Sequence, residues 1–151
     1  MDASLLPFDA ETAADFSRLA RWVEVPEGAR LFAHGMPCSQ FVLIRSGVIR
    51  VQVASRSGRE IVLYRVHPGE ACVMTNMCLL SGRPYAGEGL TETACSFDTL
   101  PLDAFDTLLG RSGSFRQYVF ATCGRRMVDL MQLFDEVAFQ HMDVRLAAFL
   151  L

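Results

Sequence analysis

Gly47-Val48-Ile49-Arg50-Val51-Gln52-Val53-Ala54-Ser55-Arg56-Ser57-Gly58 is the stretch that decides the fold. Ile49, Val51 and Val53 stand at odd positions against Arg50 and Gln52, the period-two pattern of a strand buried on one face. Ser55 to Gly58 then supplies the residue free to take positive φ that a hairpin turn needs. The same punctuation extends outward. Gly35, Gly47, Gly58 and Gly69 recur at intervals of 12, 11 and 11 residues, enclosing Phe41-Val42-Leu43-Ile44 and Ile61-Val62-Leu63-Tyr64-Arg65-Val66. More strand is expected at Gly89–Thr91 and Cys95–Leu100. Short, evenly spaced strands with turn glycines predict an antiparallel roll or sandwich.

Beyond Leu100 the period changes. Leu102–Leu109 reads as a short helix stopped by Gly110. Ser114-Phe115-Arg116-Gln117 has capping-box spacing, and a helix runs from there to about His141 with Gly124 as its only glycine. At 1.5 Å per residue it is about 42 Å long. Phe120, Cys123, Met127, Leu130, Phe134 and Val137 follow the 3-4 spacing of a coiled-coil seam. A small roll cannot cover so long a helix, so this seam is expected to make a homodimer. The competing reading is that the stripe packs on its own roll. Val119, Met131 and Ala138 form a second set that could do so instead. Asp143 is a good N-cap, and Val144–Leu151 reads as a new amphipathic helix whose apolar face awaits a partner. The expected organisation is a roll over 1–113, a long helix over 114–141, and a hinge with the first helix of a further domain over 142–151.

Composition narrows the function. The 151 residues are 51% hydrophobic and 21% charged, with a net charge of −3 and no basic stripe suited to a phosphate backbone. No run approaches a membrane span, and Met1–Phe8 lacks the basic start of a secretion signal, so the expected place is the cytoplasm. Five cysteines, an odd number, argue against a disulfide framework there. His34, His67 and His141 are too scattered for a jelly-roll metalloenzyme, and no nucleophile–base pair or phosphate loop occurs, so no enzyme is expected.

The layout resembles the N-terminal sensor domain of Crp/Fnr-type transcription regulators. The carriers are Leu31-x-x-x-Gly35, Phe41-Val42-Leu43-Ile44-x-x-Gly47, Gly58-Arg59-Glu60, Leu63-x-x-Val66-x-Pro68-Gly69-Glu70 and Asp143-x-Arg145-Leu146-Ala147. The resemblance implies a mainly β fold with α. Its core is a jelly-roll-like double-stranded β-helix of the cyclic-nucleotide-binding type, with short N-terminal helices and a long C-terminal dimerisation helix. It implies a homodimer that senses a small effector and relays it through a hinge at Asp143. DNA, and then RNA polymerase, would be contacted through a winged helix-turn-helix after residue 151.

In members that bind cyclic AMP, a Gly-Glu pair receives the ribose and an Arg-Ser or Arg-Thr pair clamps the phosphate. Here those places fall on Val73-Met74 and Pro84-Tyr85, with Arg83 one position early. Methionine cannot accept from a ribose hydroxyl, so cyclic AMP is not expected, although Arg83 could still meet an anion. The effector-pocket candidates are Glu70, Cys72, Met74, Thr75, Arg83 and Tyr85. Cys38, Cys72 and Cys78 are candidates for redox or metal chemistry, and with Met74 and Met77 they suit an iron–sulfur cluster, haem iron or a soft metal. Read as a strand, the offset of six from Cys72 to Cys78 would put both thiols on one face. Against this stands plain burial of cysteine and gap filling by methionine, with no cofactor at all. Cys95 and Cys123 read as core or seam residues. The expected function is the sensing half of a regulator, with redox, metal or gas signals open. A cyclic-nucleotide-binding module of the kinase or channel kind is the alternative, and a jelly-roll enzyme the remote one.

Overall fold

The computed structural model describes residues 5–150. A short helix, α1 (Ala10–Leu19), precedes seven strands: β1 (Arg21–Val25), β2 (Arg30–Phe32), β3 (Gln40–Ser46), β4 (Ile49–Ala54), β5 (Glu60–Val66), β6 (Glu88–Thr91) and β7 (Cys95–Pro101). Helix α2 (Val73–Ser81) sits between β5 and β6, and α3 (Leu102–Arg111) and α4 (Gly113–Leu150) follow β7. All pairings are antiparallel, in one sheet ordered β1-β7-β3 and another ordered β2-β6-β4-β5. This is the expected roll.

The turn glycines work as the spacing predicts. Gly35, Gly47, Gly58 and Gly69 all take φ between 81° and 85°. Gly47 is also a close approach, because a Cβ there would overlap the Ala94 carbonyl oxygen and lie 2.6 Å from Cys95 Sγ. The alternation in β4 holds only as far as Val51. A register shift between Val51 and Gln52 turns Gln52 inward, where it is fully buried. Its amide donates to Glu88 Oε1 at 2.6 Å and its carbonyl accepts from Arg50 Nε at 2.8 Å, so the buried polar group is satisfied.

Two apolar layers result. Phe32, Ile44, Ile49, Val51, Val66 and Phe97 fill the space between the sheets. On the outer face of the β3/β7 sheet, Phe16, Phe41, Leu100, Phe105, Phe115 and Val119 seat α1, α3 and the root of α4. Phe16, Phe41, Phe105 and Phe115 are each fully buried, contributing about 1.5–3 kcal/mol apiece. Side-chain caps tie the helices together there. Asp9 caps α1 by accepting from Thr12 N, and Asp9 N donates to Ser114 Oγ at 2.9 Å. Thr12 and Ser112 hydroxyls meet at 2.6 Å.

Several helix boundaries differ from the sequence reading. Helix α3 passes Gly110 and ends at Arg111. Ser112, not Ser114, caps α4 by accepting from Phe115 N at 3.0 Å, so no capping box forms with Gln117. Most consequential, α4 runs unbroken through Met142 and Asp143 to Leu150. No glycine or proline follows Gly124, and an aspartate inside a helix costs only about 0.7 kcal/mol relative to alanine, too little to break it alone. Leu151, at the end of the expected second helix, and Met1–Ser4 lie outside the described residues.

Burial on α4 is confined to its root among the described residues. Phe115, Val119 and Thr122 are buried, and every described residue from Met127 to Leu150 is exposed. Val119 therefore packs on the roll as its set would require, but Met131 and Ala138 do not. The exposed segment carries Leu130, Met131, Leu133, Phe134, Val137 and Phe139 toward solvent.

Candidate functional site

Helix α2 positions the site. Its N-cap, Cys72, makes no side-chain capping bond. The orphan donor Met74 N instead donates to the Tyr64 hydroxyl of β5 at 2.8 Å. Burial, and then neighbouring Cys72, hold that hydroxyl well above the ordinary tyrosine range, so it stays protonated. The other side of Tyr64 faces α4, whose Arg126 guanidinium lies 4.2 Å from the ring centroid. Strand, α2 and α4 thus meet on one phenol.

Beside this junction lies a groove of about 320 Å³ between α2 and α4. Met74, Met77 and Cys78 line one wall, and Cys123, Met127 and Leu130 the other. Arg83 and Arg126 are its charged members, and no carboxylate lines it. Three of the predicted seam residues, Cys123, Met127 and Leu130, therefore look at least partly onto their own roll. Phe120, Phe134 and Val137 remain exposed outside the groove.

The six effector-pocket candidates do not converge. Met74 and Arg83 line the groove. Cys72, Thr75 and Tyr85 border a separate cavity of about 230 Å³ inside the roll, with Phe32, Ile49 and Phe97. Glu70 lines a third cavity of about 450 Å³ beside α4, with Tyr118, Arg125 and Asp129. Its carboxylate is already used, accepting from His67 N at 2.8 Å. Asp143 lies on the exposed stretch of α4.

The inner cavity is organised around Tyr85, which stacks on Phe32 with centroids 4.0 Å apart. Its hydroxyl sits 3.0 Å from Thr75 Oγ1 and 3.2 Å from Cys38 Sγ. Burial, then the Cys38 contact, raise the Tyr85 hydroxyl above its usual range. Cys38 also lies 3.8 Å from the Thr75 carbonyl, and burial pushes its thiol up.

Cys72 and Cys78 are not strand neighbours. Cys72 caps α2 and Cys78 lies on it, so their offset of six turns them about 120° apart around the helix axis. Both thiols are buried. Burial, and then Cys38 and Cys72 nearby, raise the Cys78 thiol to about 11, and burial raises Cys123 too. Among the described residues no three His, Cys, Asp or Glu side chains converge on a common point. As they stand, Cys38, Cys72 and Cys78 do not make a ready-made ligand set for an iron–sulfur cluster or a soft metal.

Tyr64 and Arg126 were not among the sequence candidates. The signal available was faint: one aromatic following the aliphatic run Ile61-Val62-Leu63, and one arginine three residues after Cys123 in the seam.

The cyclic nucleotide-binding domain family matches residues 22–131. No curated protein matches the chain. Among solved structures, it is similar to the catabolite activator protein of Thermus thermophilus at 20% identity and a TM-score of 0.77, covering 86% of this chain and 60% of that one. It is similar to a putative transcriptional regulator of the crp/fnr family from Eubacterium rectale at 21% identity and a TM-score of 0.75, covering 97% and 69%. The c-di-GMP responsive global regulator CLP of Xanthomonas campestris matches at 20% identity and a TM-score of 0.73, covering 87% and 65%. The chain spans about three fifths of the length of the first of these. At such identities the likeness is one of fold. Among the described residues no helix is long and apolar enough to cross a membrane.

Proposed function

We propose that this chain, which belongs to the cyclic nucleotide-binding domain family, is the effector-sensing and dimerisation part of a cytoplasmic Crp/Fnr-type transcription regulator rather than an enzyme. In this reading the roll holds an effector against α4, and a second copy of the chain pairs along the seam. Effector binding favours one packing of the helices over another. Asp143 lies where α4 hands that change to a DNA-binding half outside this sequence, which in turn works with RNA polymerase.

The observation that carries the reading is α4 itself. Phe120, Phe134 and Val137 stay exposed along a helix that leaves the roll, and an apolar helix face in water calls for a partner. Sedimentation equilibrium of the chain tests it. A dimer at micromolar concentration is expected, with Phe134→Glu shifting it toward monomer. A wild-type chain that stays monomeric at about 100 µM overturns it.

The groove also supports reading the effector as something other than cyclic AMP. Met74 stands where the ribose-binding carboxylate is expected, the groove has no carboxylate, and Tyr85 is turned inward on Phe32. Saturating cyclic AMP should leave the thermal midpoint unchanged. A rise of several degrees would restore the alternative of a cyclic-nucleotide-binding module.

A further inference from the structure

We infer that the groove between α2 and α4 binds a small carboxylic acid with an apolar body. This rests on the reading of the roll as a sensor and names the chemical class that it senses. Two features of the groove select the class. Its walls are formed by Met74, Met77 and Cys78 on one side and Met127 and Leu130 on the other, side chains that offer apolar contact and can adapt to shape. Its charge is of one sign only. Arg83 and Arg126 line it, neither forms an ion pair among the described residues, and no Asp or Glu lines the groove.

A guanidinium beside an apolar wall is complementary to a carboxylate, whose two oxygens match the planar fork. The volume of about 320 Å³ lies at the small end of ligand sites. Amines are excluded by the two arginines. Sugars and nucleosides are disfavoured because little else that is polar remains. The Tyr64 hydroxyl already accepts from Met74 N and lies 3.9 Å from Cys72 Sγ, and Ser81 carries the one other hydroxyl in the lining. A carboxylate near Arg126 would also act on the contact between that guanidinium and Tyr64, so occupancy would be felt where α4 meets the strand and the start of α2.

Calorimetric titration of the whole chain tests this with octanoate and 3-phenylpropanoate, each beside its neutral amide. The two acids share the carboxylate and distinguish an aliphatic from an aromatic body. At least one acid should bind about tenfold or more tighter than its amide. Arg83→Gln changes an exposed side chain and should cut the acid's affinity about tenfold while leaving the amide's within about twofold. Met77→Glu, which places a negative charge in the groove, should abolish acid binding. The inference is overturned if neither acid binds at about 5 mM, if acid and amide bind alike, or if Arg83→Gln leaves the acid's advantage intact. A chain that dimerises yet takes neither acid defeats this inference and spares the regulator reading. A chain that takes an acid as a monomer does the reverse.

Discussion

Arg126 of α4 and Met74 of α2 both bear on Tyr64, one through the ring face at 4.2 Å and the other through the hydroxyl at 2.8 Å. The side chain that anchors the long helix is thus the one that caps the short one. A shift of α4 that moved the guanidinium would change the surroundings of a phenol already holding the first turn of α2. That is a physical link between the two walls of the groove.

The two bonds of Tyr64 can be separated by mutation. Tyr64→Phe keeps the ring under Arg126 but strips the acceptor from Met74 N, and should cost about 1–3 kcal/mol in urea unfolding. Arg126→Gln should cost about 0.5–2 kcal/mol. A double-mutant cycle on Tyr64→Leu and Arg126→Gln should return a coupling of about 0.5–2 kcal/mol, whereas a cycle on Tyr64→Phe and Arg126→Gln should return much less. Equal coupling in the two cycles would mean that the ring is not what Arg126 reads.

The same residue marks how far the sequence could be read. The roll was legible because Gly35, Gly47, Gly58 and Gly69 must take positive φ wherever they turn a hairpin, and their spacing survives into the structure. Helix α2 was not, because its N-terminal partner is Tyr64, ten residues earlier on another element, while its own N-cap Cys72 offers no capping bond. Strands β1 and β2 are short, three to five residues, too brief for a period to declare itself. Gln52 broke the alternation because a bulge is a property of the pairing, not of one strand. The six pocket candidates were chosen along one stretch of chain, and the fold distributes them over three cavities: α2 turns its neighbours Met74 and Thr75 to different sides, and Glu70, Arg83 and Tyr85 lie before and after the helix. Asp143 has capping chemistry, but a capping residue starts a helix only where the preceding backbone leaves helical geometry.

Gly47 and Gly58 separate two reasons for a turn glycine. Both have φ near 81–82°, but Gly58 has open space around it, whereas a Cβ on Gly47 would run into Ala94 and Cys95. Gly58→Ala should cost about 1–2 kcal/mol, the conformational term alone. Gly47→Ala adds overlap with backbone that cannot swing aside, and should exceed it by about 1–3 kcal/mol in the same denaturation assay. Equal costs would show that the β3–β4 turn can open.

Asp98 is fully buried on β7, with the Arg45 guanidinium of β3 bonded to its carboxylate. Arg45→Met leaves a carboxylate inside the protein without that cation and should destabilise it by about 3–5 kcal/mol. Adding Asp98→Leu removes the stranded charge, and the double variant should recover most of the loss. If Arg45→Met alone costs under about 1 kcal/mol, water must reach the carboxylate, and the cation is not what makes its burial tolerable.

Cys78 gives a pH signature. Burial first, then Cys38 and Cys72, lift its thiol from the ordinary value of 9.0 to about 11. The fold therefore favours the protonated form, and the native state holds a proton that the unfolded chain releases. The resulting stability is complete below about pH 9 and is lost as pH climbs toward 11, at a slope of up to about 1.4 kcal/mol per pH unit. Reactivity follows the same titration. Iodoacetamide labelling of Cys78, read by peptide mass spectrometry, should be slow at pH 8 and rise about tenfold per pH unit until it levels near 11. Labelling that levels near pH 8.5 would mean that the thiol is solvated and that α2 opens readily from the roll. An apolar acid seated in the groove should slow the labelling further, because Cys78 lines it, so the same measurement gives an optical-label-free check on where such a ligand sits.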